Sequence, residues 1–121
     1  MVIRLKDAKI DSIEDTETRR LKIIKISSKS EGANLTLELP EALCENMNTD
    51  DSVSIIIDSK EIAKGKDSKL YLEGSVFKKN DKEGLEVTGS IGGLRLVVSL
   101  AKATTNQASS FDDDKFFLAL K

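Results

Sequence analysis

Gly89-Ser90-Ile91-Gly92-Gly93-Leu94-Arg95-Leu96 is the stretch on which the fold of this chain turns. Ahead of the glycine pair, Leu85, Val87, Gly89 and Ile91 fall on one face of an alternating run. Behind it, Leu94, Leu96, Val98 and Leu100 do the same. Period-two alternation on both sides of Gly-Gly predicts two antiparallel strands joined by a tight hairpin. The turn needs positive φ angles, which glycine adopts without steric penalty. A turn is the plainer role for the pair. The other role is close approach by a partner's backbone, with Leu94 and Arg95 adding an apolar and a charged contact.

The same alternation recurs outward from the hairpin. Val2 to Ile13 reads as a mixed first strand. Arg19 to Ser28 reads as a second, with Leu21, Ile23, Ile24 and Ile26 as its apolar members. The adjacent Ile23-Ile24 break the alternation and predict a β-bulge or a barrel corner there. Asn34 to Leu39 is a third strand, with Leu35, Leu37 and Leu39 pointing one way. Asp51 to Asp58 is a fourth, with Val53, Ile55 and Ile57 inward. Leu70 to Lys78 is a fifth, with Leu70, Leu72 and Val76 on one face. The hairpin supplies the sixth and seventh, and Lys115 to Leu120 is an eighth with Phe116, Leu118 and Leu120 inward.

One short helix is expected at Pro40-Glu41-Ala42-Leu43-Cys44-Glu45-Asn46-Met47. Pro stands at a first-turn position with Glu behind it, and Leu43 and Met47 lie four apart on one stripe. The single Pro falls at a strand end, where it removes no ladder hydrogen bond. Three strands, a short helical connection and further strands predict an all-β, OB-like Greek-key barrel of about eight strands. Polar loops are expected at Glu14 to Thr18, at Lys60 to Ser68 and at Ala101 to Asp114. No internal repeat is visible.

Composition bounds the chemistry. A chain of 121 residues fits a single domain, 1–121, and buries a core without disulfide or metal. The net charge of −2 gives no global field toward nucleic acid, so any such binding must come from a local patch. No window approaches the roughly 20 apolar residues of a membrane span, and the charged start Met1-Val2-Ile3-Arg4-Leu5-Lys6-Asp7 lacks a signal-peptide core. One cysteine, Cys44, makes no internal disulfide, which points to a reducing cytoplasm or nucleus. With no histidine, His-based general bases, Ser–His and Cys–His pairs and His-containing zinc sites are excluded. The expectation is a binding protein, not an enzyme, with no cofactor, no metal and no small-molecule substrate.

Arg19, Arg20, Lys22, Lys25 and Lys29 form a local basic cluster. An OB barrel binds single strands with a basic groove and aromatic platforms, and Tyr71 and Phe77 share the outward face of the fifth strand. The plainer reading is a solvated strand face whose lysines discourage edge pairing. Asp112-Asp113-Asp114 lacks the alternating oxygens, Gly turn and distal Glu of a calcium loop and reads as a solvated strand entry. Cys44, on a short amphipathic turn, reads as a small buried hydrophobe sooner than as a reactive thiol.

Three segments together resemble the small subunit eight shared by archaeal and eukaryotic DNA-directed RNA polymerases. They are Tyr71-Leu72-Glu73-Gly74-Ser75-Val76-Phe77-Lys78, Ser90-Ile91-Gly92-Gly93-Leu94-Arg95-Leu96 and Phe111-Asp112-Asp113-Asp114-Lys115-Phe116-Phe117-Leu118-Ala119-Leu120-Lys121. Their order and spacing match that family across 71–121; the N-terminal half agrees in strand pattern and length. The resemblance implies an OB-like barrel of about eight strands. It also implies a non-catalytic subunit, docked on the largest polymerase subunit and so joined to the polymerase core, with DNA or RNA contacted only indirectly or weakly. Gly92, Gly93, Leu94 and Arg95 become the candidate contact, with Tyr71 and Phe77 beside them. The chain keeps only the short Lys60 to Ser68 loop where eukaryotic members carry a long acidic insertion, which suggests the archaeal type and a cytoplasmic setting. It has Ile91 where they commonly carry an aromatic, so no stacking role is carried over to that position. The alternative from another class is a stand-alone single-stranded nucleic-acid binder using Arg19, Arg20, Lys22 and Lys25 with Tyr71 and Phe77.

Overall fold

Eight runs of alternating burial close into one antiparallel barrel. The computed structural model describes residues 2–17, 20–45, 47–62, 70–80, 84–101 and 114–121. The strands are β1 (Val2–Asp15), β2 (Leu21–Ser28), β3 (Ala33–Pro40), β4 (Ser52–Asp58), β5 (Leu70–Asn80), β6 (Leu85–Ile91), β7 (Leu94–Leu100) and β8 (Lys115–Leu120). Their order around the closed barrel is β1-β2-β3-β7-β6-β5-β8-β4. The expected all-β Greek-key barrel is therefore present, with eight strands.

That order contains a repetition the sequence does not display. β4-β1-β2-β3 is one Greek key, and β8-β5-β6-β7 is a second with the same connectivity. Antiparallel ladders β3–β7 and β4–β8 seam the two together. The first strand of each key carries a bulge against its second. In β1 the extra residue is Asp11, between the pairs Ile10↔Ile26 and Ser12↔Lys25. In β5 it is Phe77, between Val76↔Gly89 and Lys78↔Thr88.

The barrel interior is aliphatic and fully removed from water. Ile3, Ile10, Leu37, Ile57, Leu96, Val98 and Leu118 are all at 0% exposure, and each such side chain contributes about 1.5–3 kcal/mol on burial. Phe116, also fully buried, is the one aromatic in the core among the described residues.

Three local expectations need correction. Of the bulge or barrel corner expected at Ile23-Ile24, the bulge is not in β2, which pairs with β3 without a break from Leu21↔Pro40 to Ser28↔Ala33. Ile24 points in and Ile23 points out, half-buried; the extra residue sits across the ladder, at Asp11 of β1. The expected helix over 40–47 is a single 3₁₀ turn, Glu41–Cys44, preceded by an extended Pro40. Cys44 is buried at its end and Met47, whose amide bonds the Cys44 carbonyl at 3.0 Å, is buried beyond it, while Leu43 is 45% exposed. Finally, Glu14 and Asp15, expected in a loop, extend β1, and β2 begins at Leu21 because Arg20 takes a left-handed φ of 65°. The other strand expectations hold to within two residues. The expectations for Thr18, Arg19 and Asn46, for 63–68 of the second loop and for 102–113 of the third, Asp112 and Asp113 among them, fall outside the described residues.

Candidate interaction surface at the hairpin groove

The hairpin is built as the glycine pair dictates. Ile91 and Leu94 close it opposite each other, leaving Gly92 and Gly93 as a two-residue loop with φ of 58° and 89°. Positive φ at both positions defines a type I′ turn, whose twist matches that of the flanking strands. A Cβ at either glycine would meet nothing within 4 Å, so the turn's outer side stands open.

Beyond the hairpin the β3–β7 ladder ends at Leu37↔Leu96. The next β7 amide, of Arg95, donates to the Glu38 carboxylate at 2.8 Å. A side-chain oxygen thus replaces the missing main-chain acceptor, which holds the base of the hairpin and leaves the Arg95 side chain exposed. Leu94, at the strand's start, is half-buried, whereas the three inward residues after it are sealed in the core.

Phe77, the extra residue of the β5 bulge, faces outward against this hairpin. Phe77 is 81% exposed, the largest exposure of any bulky apolar side chain among the described residues. Phe77, Thr88, Ser90, Gly93, Leu94 and Arg95 line a groove of about 210 Å³. Four sequence candidates therefore meet in one place, with Gly92 at the adjacent tip. Thr88 and Ser90 were not singled out from the sequence. Their signal was the alternation itself, which sets them outward between Val87, Gly89 and Ile91.

Tyr71 does not join them. It lies six residues from Phe77, about 20 Å along a strand. Its ring stacks on Phe117 at a centroid distance of 6.2 Å and 21° between planes. Its hydroxyl accepts a hydrogen bond from the Ile62 amide at 3.1 Å. The single Tyr71–Phe77 platform considered from sequence is thus two separate features.

The basic cluster is compensated in part. Lys22 forms an ion pair with Asp15, its opposite on β1, and this hydrogen bond raises the ammonium pKa. Lys25 reaches Glu14 at 3.0 Å. That hydrogen bond, aided by one from Ser12, holds the Glu14 carboxyl below the usual range. Arg20 is exposed at the start of β2, and Arg19 lies outside the described residues. Asp114, of the acidic run, offers its carbonyl to the Val76 amide at 2.9 Å. Cys44 is buried; its thiol faces the Pro40 carbonyl at 3.6 Å, and desolvation pushes its pKa up.

The first Greek key has a hollow at the equivalent position, where its bulge meets the end of β2 and the following turn. That hollow, about 490 Å³, is lined by Asp7, Lys9, Asp11, Ser27, Lys29 and Asp50 among others. It carries both signs of charge, and Lys9 is paired with Asp50 at 3.5 Å. The hairpin groove has an aromatic ring and a guanidinium where this one has carboxylates and amines.

The chain matches no protein-family model and no curated protein sequence. Among the described residues no helix is long and apolar enough to cross a membrane.

Proposed function

We propose that this chain is a non-catalytic accessory subunit of a multisubunit DNA-directed RNA polymerase, docking on the largest subunit and stabilising or assembling the enzyme. The observation that carries this reading is spatial. The segments that resemble the polymerase subunit supply β5, the β6–β7 hairpin and β8, which are neighbours in the order β7-β6-β5-β8 on one side of the barrel. That side also holds the exposed Phe77 and the groove under Gly93 and Arg95. An aromatic and an arginine on a rigid strand face are the residue types that anchor protein interfaces, which bury about 800 Å² per partner.

The test is affinity capture of the tagged chain from its native lysate after nuclease treatment, with the bound proteins identified by mass spectrometry. Polymerase subunits in equal amounts support the reading. Gly93→Arg is expected to weaken capture while the barrel stays folded: the position faces open space, so the cost is the backbone strain of its positive φ, about 1–2 kcal/mol. Capture that yields no polymerase subunits after nuclease, and only nuclease-sensitive material when the nuclease is left out, overturns the reading in favour of a single-stranded nucleic-acid binder.

A further inference from the structure

The two equivalent hollows differ in what they leave unbalanced. In the hollow of the first key, lysines and aspartates share one rim. Among the described residues the hairpin groove has a single charged lining residue, Arg95, and no lining carboxylate. Lys78 adds a second cation, opposite Thr88 on the outer face. Among the described residues neither Arg95 nor Lys78 has an ion-pair partner, while Lys9, Lys22, Lys25 and Lys115 each have one. The lining itself is thus positive on a chain whose net charge is −2, with the Glu38 carboxylate beside it engaged by the Arg95 amide.

We propose that the groove between Phe77 and Arg95 receives an extended acidic segment of a protein partner, with one apolar side chain of that segment packed on the Phe77 ring. The partner's identity as polymerase rests on the reading above; the chemistry of the segment rests on the groove. Phe77, exposed at the bulge, supplies the apolar contact at low conformational cost. Arg95 offers a planar fork to a carboxylate, and its backbone is fixed by Glu38. Thr88 and Ser90 present hydroxyls able to donate or accept toward a main chain, and Gly93 leaves room for that chain to come close.

A nucleic acid fits the groove less well. Binding along a single strand uses a run of aromatic platforms. Among the described residues one ring is free here, because Tyr71 is engaged with Phe117 and Ile62 at a distance along the strand.

The test titrates the isotopically labelled full chain with three probes and follows its amide resonances. One probe is a short peptide with a central Phe flanked by Asp and Glu. The second is the same peptide with Lys for the acids, and the third is an oligothymidylate of similar length. The acidic peptide is expected to move Thr88, Ser90, Gly93 and Arg95, and the basic one to leave them in place. Arg95→Glu and Phe77→Ala are each expected to weaken the acidic peptide by roughly tenfold or more, without disturbing the rest of the spectrum. Lys29→Glu, in the other hollow, is expected to change nothing. The proposal is overturned if the acidic peptide moves none of these amides, if Arg95→Glu leaves its affinity intact, or if oligothymidylate moves the same amides more tightly. Capture of polymerase by the Phe77→Ala, Arg95→Glu double variant separates the two readings. Undiminished capture sinks the groove and keeps the subunit. Peptide binding by the wild-type chain without any capture of polymerase does the reverse.

Discussion

The ring of Phe116 occupies the space in which a side chain on Gly74 would begin: a Cβ at Gly74 would lie 2.6 Å from Phe116 Cζ. The same ring lies 2.8 Å from where a Cβ on Gly89 would stand. Two glycines on adjacent strands thus form the seat for the core's one aromatic side chain. Their absence of side chains serves packing here, not a turn. The Cβ at Gly74 would also meet the Ser90 carbonyl oxygen at 2.8 Å, so moving the ring alone does not clear the space.

Gly74→Ala is therefore expected to destabilise the barrel by about 2–3 kcal/mol, at the upper end for overpacking a core. Phe116→Leu alone is expected to cost about 1–2 kcal/mol through the space it leaves. Combined, the two changes should cost less than their sum by about 1 kcal/mol, since the smaller side chain yields room to the new methyl. Urea unfolding of the four proteins measures this directly. Strict additivity would show that the ring is not what excludes a side chain at Gly74.

At the hairpin the same residue type acts through its backbone. Gly93 has φ of 89° and open space around its Cβ position. Gly93→Ala should therefore lose stability by backbone strain alone, about 1–2 kcal/mol. That corresponds to a fall of roughly 3–12 °C in the melting temperature of a domain of this size. Gly92, at φ 58°, sits where asparagine is well tolerated in a type I′ turn. Gly92→Asn is expected to melt within a degree or two of the parent. Thermal melts of both variants decide whether the turn is type I′ in solution.

This hairpin was legible in the sequence because its requirement is local: two residues that accept positive φ between two alternating runs. The strands were legible for the same reason, since each inward Leu, Ile or Val declares its own face. What was not legible depends on pairing between distant segments. A bulge is a mismatch between two strands, so Ile23-Ile24 suggested one that the β1 partner instead supplies at Asp11. Tyr71 and Phe77 have the same parity, which says nothing of their separation or of Phe117 one strand away. The groove's two hydroxyl residues, and the seat beneath Phe116, exist only once β5, β6 and β8 are in register. At 41–44 a 3₁₀ turn stands where a helix was expected: Cys44 is its buried residue and the Met47 amide bonds the Cys44 carbonyl, an i to i+3 relation that the Leu43–Met47 stripe obscured.

The pair of Lys25 and Glu14 makes a prediction about pH. A carboxyl whose pKa falls on folding adds stability above its unfolded pKa, and the addition is lost as pH drops through the folded value. Glu14 is such a group, lowered chiefly by the Lys25 hydrogen bond. Its carboxyl carbon, followed by NMR, should titrate below the ordinary glutamate range and return toward it in Lys25→Ala. Both partners are about half exposed, so the gain is modest and screened by salt. Any stability gap between the parent and Lys25→Ala should be present at neutral pH and close in acid. A gap that persisted below the folded pKa would assign the loss to the lysine's aliphatic stem instead of its charge.

Cys44 gives the last prediction. Its thiol is buried at the end of the 3₁₀ turn, 3.6 Å from the Pro40 carbonyl, and loss of solvent raises its pKa. The thiolate is the reactive form, so burial suppresses reactivity twice, by hiding the sulfur and by keeping its proton. In the native barrel at neutral pH, labelling by a disulfide reagent should be slower than in denaturant by orders of magnitude, and its rate should rise with urea alongside unfolding. The sign of the pH effect also follows. A thiol that ionises more readily unfolded than folded leaves stability unchanged below its unfolded pKa and erodes it as pH climbs past that value. Cys44→Ala removes that erosion, so beyond a constant packing loss the stability gap between parent and variant should change only on the alkaline side. Rapid stoichiometric labelling of the folded protein at neutral pH would show instead that the turn over 41–44 opens readily, and that the thiol is available for chemistry.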